Sequence, residues 1–220
     1  MRLTRKLKKE SSIMQQKSDN KVPRVKSRSR LEINKIAMGF IYEIDKEALS
    51  KPKKIDLQEI LDFGYIRRNY GFALSIEDLP TGIEGYTDFL NKKLALSTRT
   101  YEGILNKDPR AIFTGFHEVS HVLLHRGQLK NRTIEEANKD RFYRSDLKPF
   151  EDPEWQADEC SAAIQIPLNT VLPLIKSGAT AEDLMKIFGV SRTCAEVRVA
   201  NILKLVKFNP KLDESRGLFF

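Results

Sequence analysis

The sequence predicts an α+β domain, and three observations carry that prediction: apolar residues at helical spacing over 31–44, three short β-prone stretches between 72 and 98, and a helical pattern running from Asp108 almost to Phe208. A chain of 220 residues, 40% hydrophobic and 31% charged, is large enough to bury a substantial core without disulfide support. No stretch approaches the roughly 18 consecutive apolar residues of a membrane span, so a helical membrane protein is excluded. Cys160 and Cys194 have no paired spacing, and no secretory leader is expected ahead of them. They read as reduced thiols, which sets the expectation of a cytoplasmic protein.

The net charge of +8 is unevenly distributed. Residues 1–31 hold eleven Lys and Arg against Glu10 and Asp19, a balance of +9, so the remaining chain carries −1. This segment lacks aromatics and has only scattered apolar residues, so it is expected to be a basic disordered tail, with the folded domain occupying 32–220. A counterion-releasing contact with nucleic acid is open to such a tail, although a solvated extension is the simpler reading.

Along the chain, Leu31, Ile33, Ile36, Phe40 and Ile44 mark a first helix. After the Pro52 break, Asp56 is placed to cap a second helix through Ile60, Leu61 and Tyr65. Strands are expected at Phe72 to Ile76, Gly85 to Leu90 and Leu94 to Thr98, with Asn91-Lys92-Lys93 as a hairpin turn, which together suggest a small antiparallel meander. Asp108-Pro109 has the Asp-cap, Pro-first pattern of a helix start and Gly127 is a plausible stop. Further breaks fall at 127–150, Gly178 and Gly189.

Chemistry concentrates in His117-Glu118-Val119-Ser120-His121. Ile112, Phe116, Val119 and Leu123 form one stripe of that helix, so it should be buried, yet His117, His121 and His125 lie on it too. At i and i+4, His117 and His121 share a face and direct one ring nitrogen each at a single zinc ion, while Glu118, turned about 100° away, reaches a water on that ion as general base. Core histidines with an incidental glutamate are the competing reading. His125 lies about 12 Å along the axis from His117, too far for both to bind one ion. Because Leu124 and Gly127 stand where a metzincin has its Gly and third His, that class is excluded. His125 is instead expected to contact backbone carbonyls or an acid near the helix end.

A third ligand is sought in Asp152-Pro153-Glu154-Trp155-Gln156-Ala157-Asp158, another helix start. Glu154 and Asp158 share a face, and Ala157 and Ser161 beside it permit close approach to the histidine helix. Glu154 is then the third ligand and Asp158 the acceptor that orients a ligating histidine. A solvated acidic face at a helix N-terminus is the alternative. Candidates for stabilising an oxyanion are Tyr101, Arg141 and Tyr143, and the strand at Leu94 to Thr98 is a candidate edge for an extended peptide.

These residues resemble a known family. His117-Glu118-x-x-His121-x-x-x-His125, followed by Glu154-x-x-Ala157-x-x-Cys160-Ser161 and Ile164-Gln165-Ile166-Pro167, is similar to the ImmA/IrrE zinc metallopeptidases from about Leu74 to Ile202. The resemblance implies a zincin-like domain with zinc ligands His117, His121 and Glu154 and the general base Glu118. It also implies a bacterial or phage cytosolic protease that cleaves a helix-turn-helix repressor and so derepresses stress or mobile-element genes. Cys160 and Gln165 depart from the family pattern, at positions that read as packing.

A rival reading comes from Thr180 to Thr193, which runs like the first helix and turn of a helix-turn-helix, with Gly189 at the turn and Ser191 capping the next helix. The helix-turn-helix-like segment would span 180–207 within the domain and offer Arg192, Arg198 and Lys204 to DNA, although Met185 stands where a small residue is usual. A DNA-binding regulator with a non-catalytic zinc site is therefore the alternative to a peptidase.

Overall fold

The computed structural model describes residues 21–129, 141–143 and 147–214. The chain enters through β1 (Lys21–Pro23), paired antiparallel with β5 (Arg141–Tyr143). The expected tail therefore ends earlier than position 31, and its residues 1–20 lie outside the described residues. Val25 is buried and its N–H donates to the Glu151 carbonyl at 3.1 Å, while Arg28 N–H donates to the Phe150 carbonyl at 3.1 Å. Backbone pairing, to which sequence composition is blind, holds this basic arm in place.

Ser29 and Glu32 close a capping box at the start of α1 (Arg30–Ile44): Glu32 N–H donates to Ser29 Oγ at 3.2 Å and Ser29 N–H to the Glu32 carboxylate at 2.8 Å. Ile33, Ala37, Phe40 and Ile41 make its buried face, the i, i+4, i+7, i+8 pattern of an amphipathic helix. The predicted second helix is two short ones, α2 (Leu57–Asp62), capped by Asp56, and α3 (Tyr65–Tyr70). They part at Gly64, whose φ of 65° is accessible to glycine at little penalty.

β2 (Ala73–Glu77), β3 (Gly85–Asp88) and β4 (Lys93–Ser97) form a three-stranded sheet in the order β2-β4-β3. β3 and β4 are the expected hairpin, but β2 runs parallel to β4, so the sheet is mixed rather than an antiparallel meander. Leu94, Ala95 and Leu96 are all buried, a continuous apolar run that belongs in the middle of a covered sheet. The strand proposed as a peptide-binding edge is thus central, and the edges are β2 and β3. Ser97 Oγ then accepts from Thr100 N–H at 3.0 Å and starts α4 (Thr98–Leu105), a helix the sequence reading did not foresee.

Asp108 Oδ1 accepts from Arg110 N–H at 3.0 Å at the start of α5 (Pro109–Leu129). The helix passes through Gly127 without a break. The side chains of Arg126 and Gln128 donate to the Val122, Leu123 and Leu124 carbonyls and cover the last turn. Asp152 caps α6 (Pro153–Gln165), accepting from Glu154 N–H at 2.9 Å. α5 lies at the centre, with α6 and α1 on one side and the sheet and α4 on the other. Among the described residues no helix is long and apolar enough to cross a membrane.

Pro167 ends α6, and α7 (Leu168–Lys176), α8 (Ala181–Phe188), α9 (Arg192–Phe208) and α10 (Lys211–Glu214) follow around a second apolar cluster that includes Ile166, Val171, Leu184, Phe188 and Ile202. The α8–turn–α9 geometry is as expected, with Gly189 at φ 67° and Ser191 capping α9. Arg198 is not offered to DNA. It is 1% exposed and donates to the Ile166 carbonyl at 3.1 Å and to Asn34 Oδ1 at 2.6 Å, joining the second cluster to α1. Burial lowers its guanidinium to about 10, opposed by Glu159 nearby. Arg192 is paired with Glu182 and Glu196, Met185 packs into the second cluster, and Lys204 is exposed.

Candidate metal centre

α5 is central because Phe116, Val119 and Val122 have no exposed surface. α6 comes close to it because Ala157 and Ser161 are small and fully buried at the crossing, where Ser161 Oγ donates to the Phe113 carbonyl at 3.0 Å. Cys160 and Gln165 occupy packing positions, as expected: both are buried, and Gln165 Nε2 donates to Ser161 at 3.2–3.3 Å.

This crossing brings His117, His121 and Glu154 together, with one ligand atom from each within 4.8 Å of the others. His117 Nε2 lies 2.9 Å from His121 Nε2 and 3.3 Å from Glu154 Oε2, and His121 Nε2 lies 3.5 Å from Glu154 Oε1. Ligand atoms at ~2.1 Å in tetrahedral geometry would stand roughly 3.4 Å apart, so the set is close to what a zinc ion requires.

Tautomers assigned from the network sharpen the fit. Asp158 Oδ1 accepts from His117 Nδ1–H at 2.8 Å, which leaves His117 Nε2 as a lone pair in the neutral ring. His121 Nδ1 meets His125 Nδ1 at 3.1 Å, and His125 Nε2 meets Gln156 Oε1 at 3.3 Å. With His121 donating through Nδ1, its Nε2 is bare as well. With both rings neutral, two bare nitrogens and a carboxylate converge with no donor among them, an arrangement that is unfavourable unless a proton or a metal ion sits between them.

The electrostatics agree. Burial opposes charge on His117, yet its hydrogen bonds to Asp158 and Glu154 outweigh that and take the imidazole up to about 10. Burial likewise opposes charge on Glu154, but its hydrogen bonds to His117 and His121 hold it well below the ordinary carboxylate range. The cluster draws positive charge, and proton and metal ion compete for the same lone pairs. His125 is held well below its ordinary value by burial and by His121. It therefore bonds neither the backbone carbonyls nor the acid that the sequence suggested, but another histidine and a glutamine.

Glu118 faces β3. It is buried, and burial raises its carboxyl, opposed by His121, His117 and a hydrogen bond from Thr87. Thr87 Oγ1 lies 2.8 Å from Glu118 Oε2 and 3.2 Å from the Glu118 carbonyl, a contact that sequence reasoning missed because 31 positions separate the two residues. Gly85 permits the approach: a Cβ there would stand 2.9 Å from the Ala95 carbonyl oxygen and 3.1 Å from Glu118 Cγ. Tyr101 is not part of the cluster, since its hydroxyl donates to Asp62 Oδ1 at 2.6 Å. Arg141 and Tyr143 contribute backbone to β5, and their side chains lie outside the described residues.

A mixed sheet over a buried H-E-x-x-H helix, with a carboxylate delivered by the next long helix, defines a zincin-like domain. Residues 104–200 match the family model Peptidase_M78, described as the IrrE N-terminal-like domain, in line with the resemblance that the motif suggested. No curated protein matches the chain. Among solved structures, one described as a Mycobacterium tuberculosis transcriptional regulator is similar at 14% identity with a TM-score of 0.47, over 74% of this chain and 44% of that one. This chain thus spans less than half of that protein's length.

Proposed function

We propose that this protein is a zinc-dependent endopeptidase acting on a specific helix-turn-helix repressor in the cytoplasm. The observation that carries the peptidase reading is the convergence of three acceptors, His117 Nε2, His121 Nε2 and Glu154, beside a buried Glu118. His117, His121 and Glu154 would hold the ion, and Asp158 keeps the His117 ring in its binding tautomer. A zinc ion bound there supplies the Lewis acidity that polarises a peptide carbonyl and acidifies a water. Glu118 accepts the water proton and returns it to the leaving amine. Its raised affinity for protons, caused by burial, suits both halves of that transfer. Thr87 holds one carboxylate oxygen, and the other would take the proton.

Among the described residues no strand pairs with the outer edge of β3, which runs beside Glu118 and supports binding of an extended peptide by strand addition. Near the start of α5, a cavity of about 650 Å³ is bordered by Glu77, Asp78, Glu84, Glu102 and Asp108, with Arg99 and Arg110 as its cations. That balance favours a basic substrate segment, which suits a DNA-binding target. The DNA-binding alternative gains no support from Arg198, which is buried, or Arg192, which is paired with acids.

Metal content by mass spectrometry, after exchange against a weak chelator, tests the site. About one zinc per chain, absent from His117→Ala, is expected, and no uptake by the wild type would refute it. Comparing new N-termini in cells that express the wild type or Glu118→Gln tests the activity. Cleavage of a DNA-binding protein only with the wild type is expected, and identical profiles would reject the peptidase reading.

A further inference from the structure

We propose that His125, Gln156 and the N-terminal arm form a positioning relay that fixes the tautomer of His121, so that zinc binding depends on a segment remote in sequence from the ligands. The inference rests on the metal-site reading above and assigns a role to the third histidine of the motif, which is not a ligand.

The relay begins at two backbone carbonyls. Gln156 Nε2 donates to the Lys26 carbonyl at 2.9 Å and to the Phe150 carbonyl at 2.8 Å, and a carbonyl can only accept. The amide is thereby oriented, with Oε1 turned inward, where it accepts from Arg28 Nη1 at 3.2 Å. His125 Nε2, at 3.3 Å from the same oxygen, must then carry its proton, and the Nδ1 of the neutral ring is an acceptor. His121 Nδ1, at 3.1 Å, supplies the proton. Its Nε2 is therefore the lone pair that faces His117 and Glu154. Each step follows from the one before because Gln156 and His125 are fully buried and His121 nearly so, which leaves little room for water to substitute for a missing partner.

His117 and His121 thus use different devices for one purpose. His117 donates to Asp158, a carboxylate on α6. His121 donates to an imidazole whose own orientation derives from Lys26 and Arg28 in the arm. Displacing the arm would release Gln156, allow His125 to change tautomer, and weaken the metal site without touching a ligand.

The test uses the full chain, zinc alone as probe, a chromophoric chelator as competitor, and nitrogen-15 shifts of the imidazoles in the chelator-treated protein at alkaline pH. His125→Leu removes the acceptor and should lower zinc affinity about 10–100-fold while mixing the His121 tautomers. His125→Asn places a carbonyl oxygen where Nδ1 stood and should restore most of the affinity and the Nδ1–H form. Gln156→Met, one step further out, should act in the same direction by a smaller factor, and it decides the matter if His125→Leu does not fold. Wild-type affinity and an unmixed His121 tautomer in Gln156→Met or His125→Leu would overturn the relay. If the wild type takes up no zinc, the metal reading fails instead, and the His121 tautomer still decides whether the relay exists.

Discussion

Truncation of the N-terminus separates the arm from the segment before it. Removing residues 1–20 takes nothing from the described contacts, whereas removing 1–31 takes Val25, the Ser29 cap, Arg28, the Lys26 carbonyl and the Arg30–Glu159 pair. Burial of Val25 contributes about 1.5–3 kcal/mol. The Ser29 cap contributes about 1 kcal/mol, and a buried Gln156 deprived of partners adds about 1–3 kcal/mol. The sum, about 3.5–7 kcal/mol, is a large share of the ~5–15 kcal/mol by which domains are stable. At a urea dependence of about 2 kcal/mol per molar, the midpoint should fall by roughly 1.8–3.5 M relative to the shorter truncation, read by circular dichroism. Equal midpoints for the two truncations would show that the arm is not part of the folded core.

Glu118→Gln should retain zinc while losing peptidase activity, because an amide cannot accept the proton, and full activity would remove the general-base role. Glu154→Ala should lower zinc affinity by a factor of ten or more in a chelator competition, and unchanged metal content would move the third ligand elsewhere. Burial pushes the Cys160 thiol up to about 12 and the Cys194 thiol up to about 11, so neither should be alkylated in the native protein at pH 8; rapid labelling of Cys160 would contradict its packing. Hydrogen bonds from Lys93, then Ser75 and Tyr86, hold Glu77 at about 2. Its folded value is below the unfolded one, so its contribution is present above the ordinary carboxylate range and is lost as pH falls toward about 2. Glu77→Gln should flatten the decline of stability in that window, and an unchanged slope would assign the decline to other carboxylates.

The grouping of His117, His121 and Glu154 as a candidate metal site was legible in the sequence because its parts are local. His117, Glu118 and His121 lie within one turn of a helix, and Glu154 and Asp158 within another. Their juxtaposition needed only the inference that Ala157 and Ser161 allow the two helices to meet, and both are fully buried at that crossing. What escaped depends on backbone partners distant in sequence. The β1–β5 pairing, the parallel β2–β4 register and the Thr87–Glu118 contact leave no periodicity to read. Composition misled at the arm, where cationic residues hide a buried Val25. It misled again at Arg198, where a helix carrying arginine suggested DNA but the guanidinium serves two internal acceptors. α4 escapes a sequence reading because its N-cap, Ser97, is also the last residue of β4.

The arm also bears on the order in which the molecule is assembled. β1 leaves the ribosome before every other described element, yet its partner β5 is about 120 residues later and the Phe150 and Glu151 carbonyls later still. Contacts of such long range close slowly and late in folding. The earliest-made stretch of the described chain is thus docked among the last, and until α6 has been made the α5 helix holds its histidines beside neither Gln156 nor Glu154. The nascent chain can form a helix that carries the motif well before it can form the centre that the motif announces.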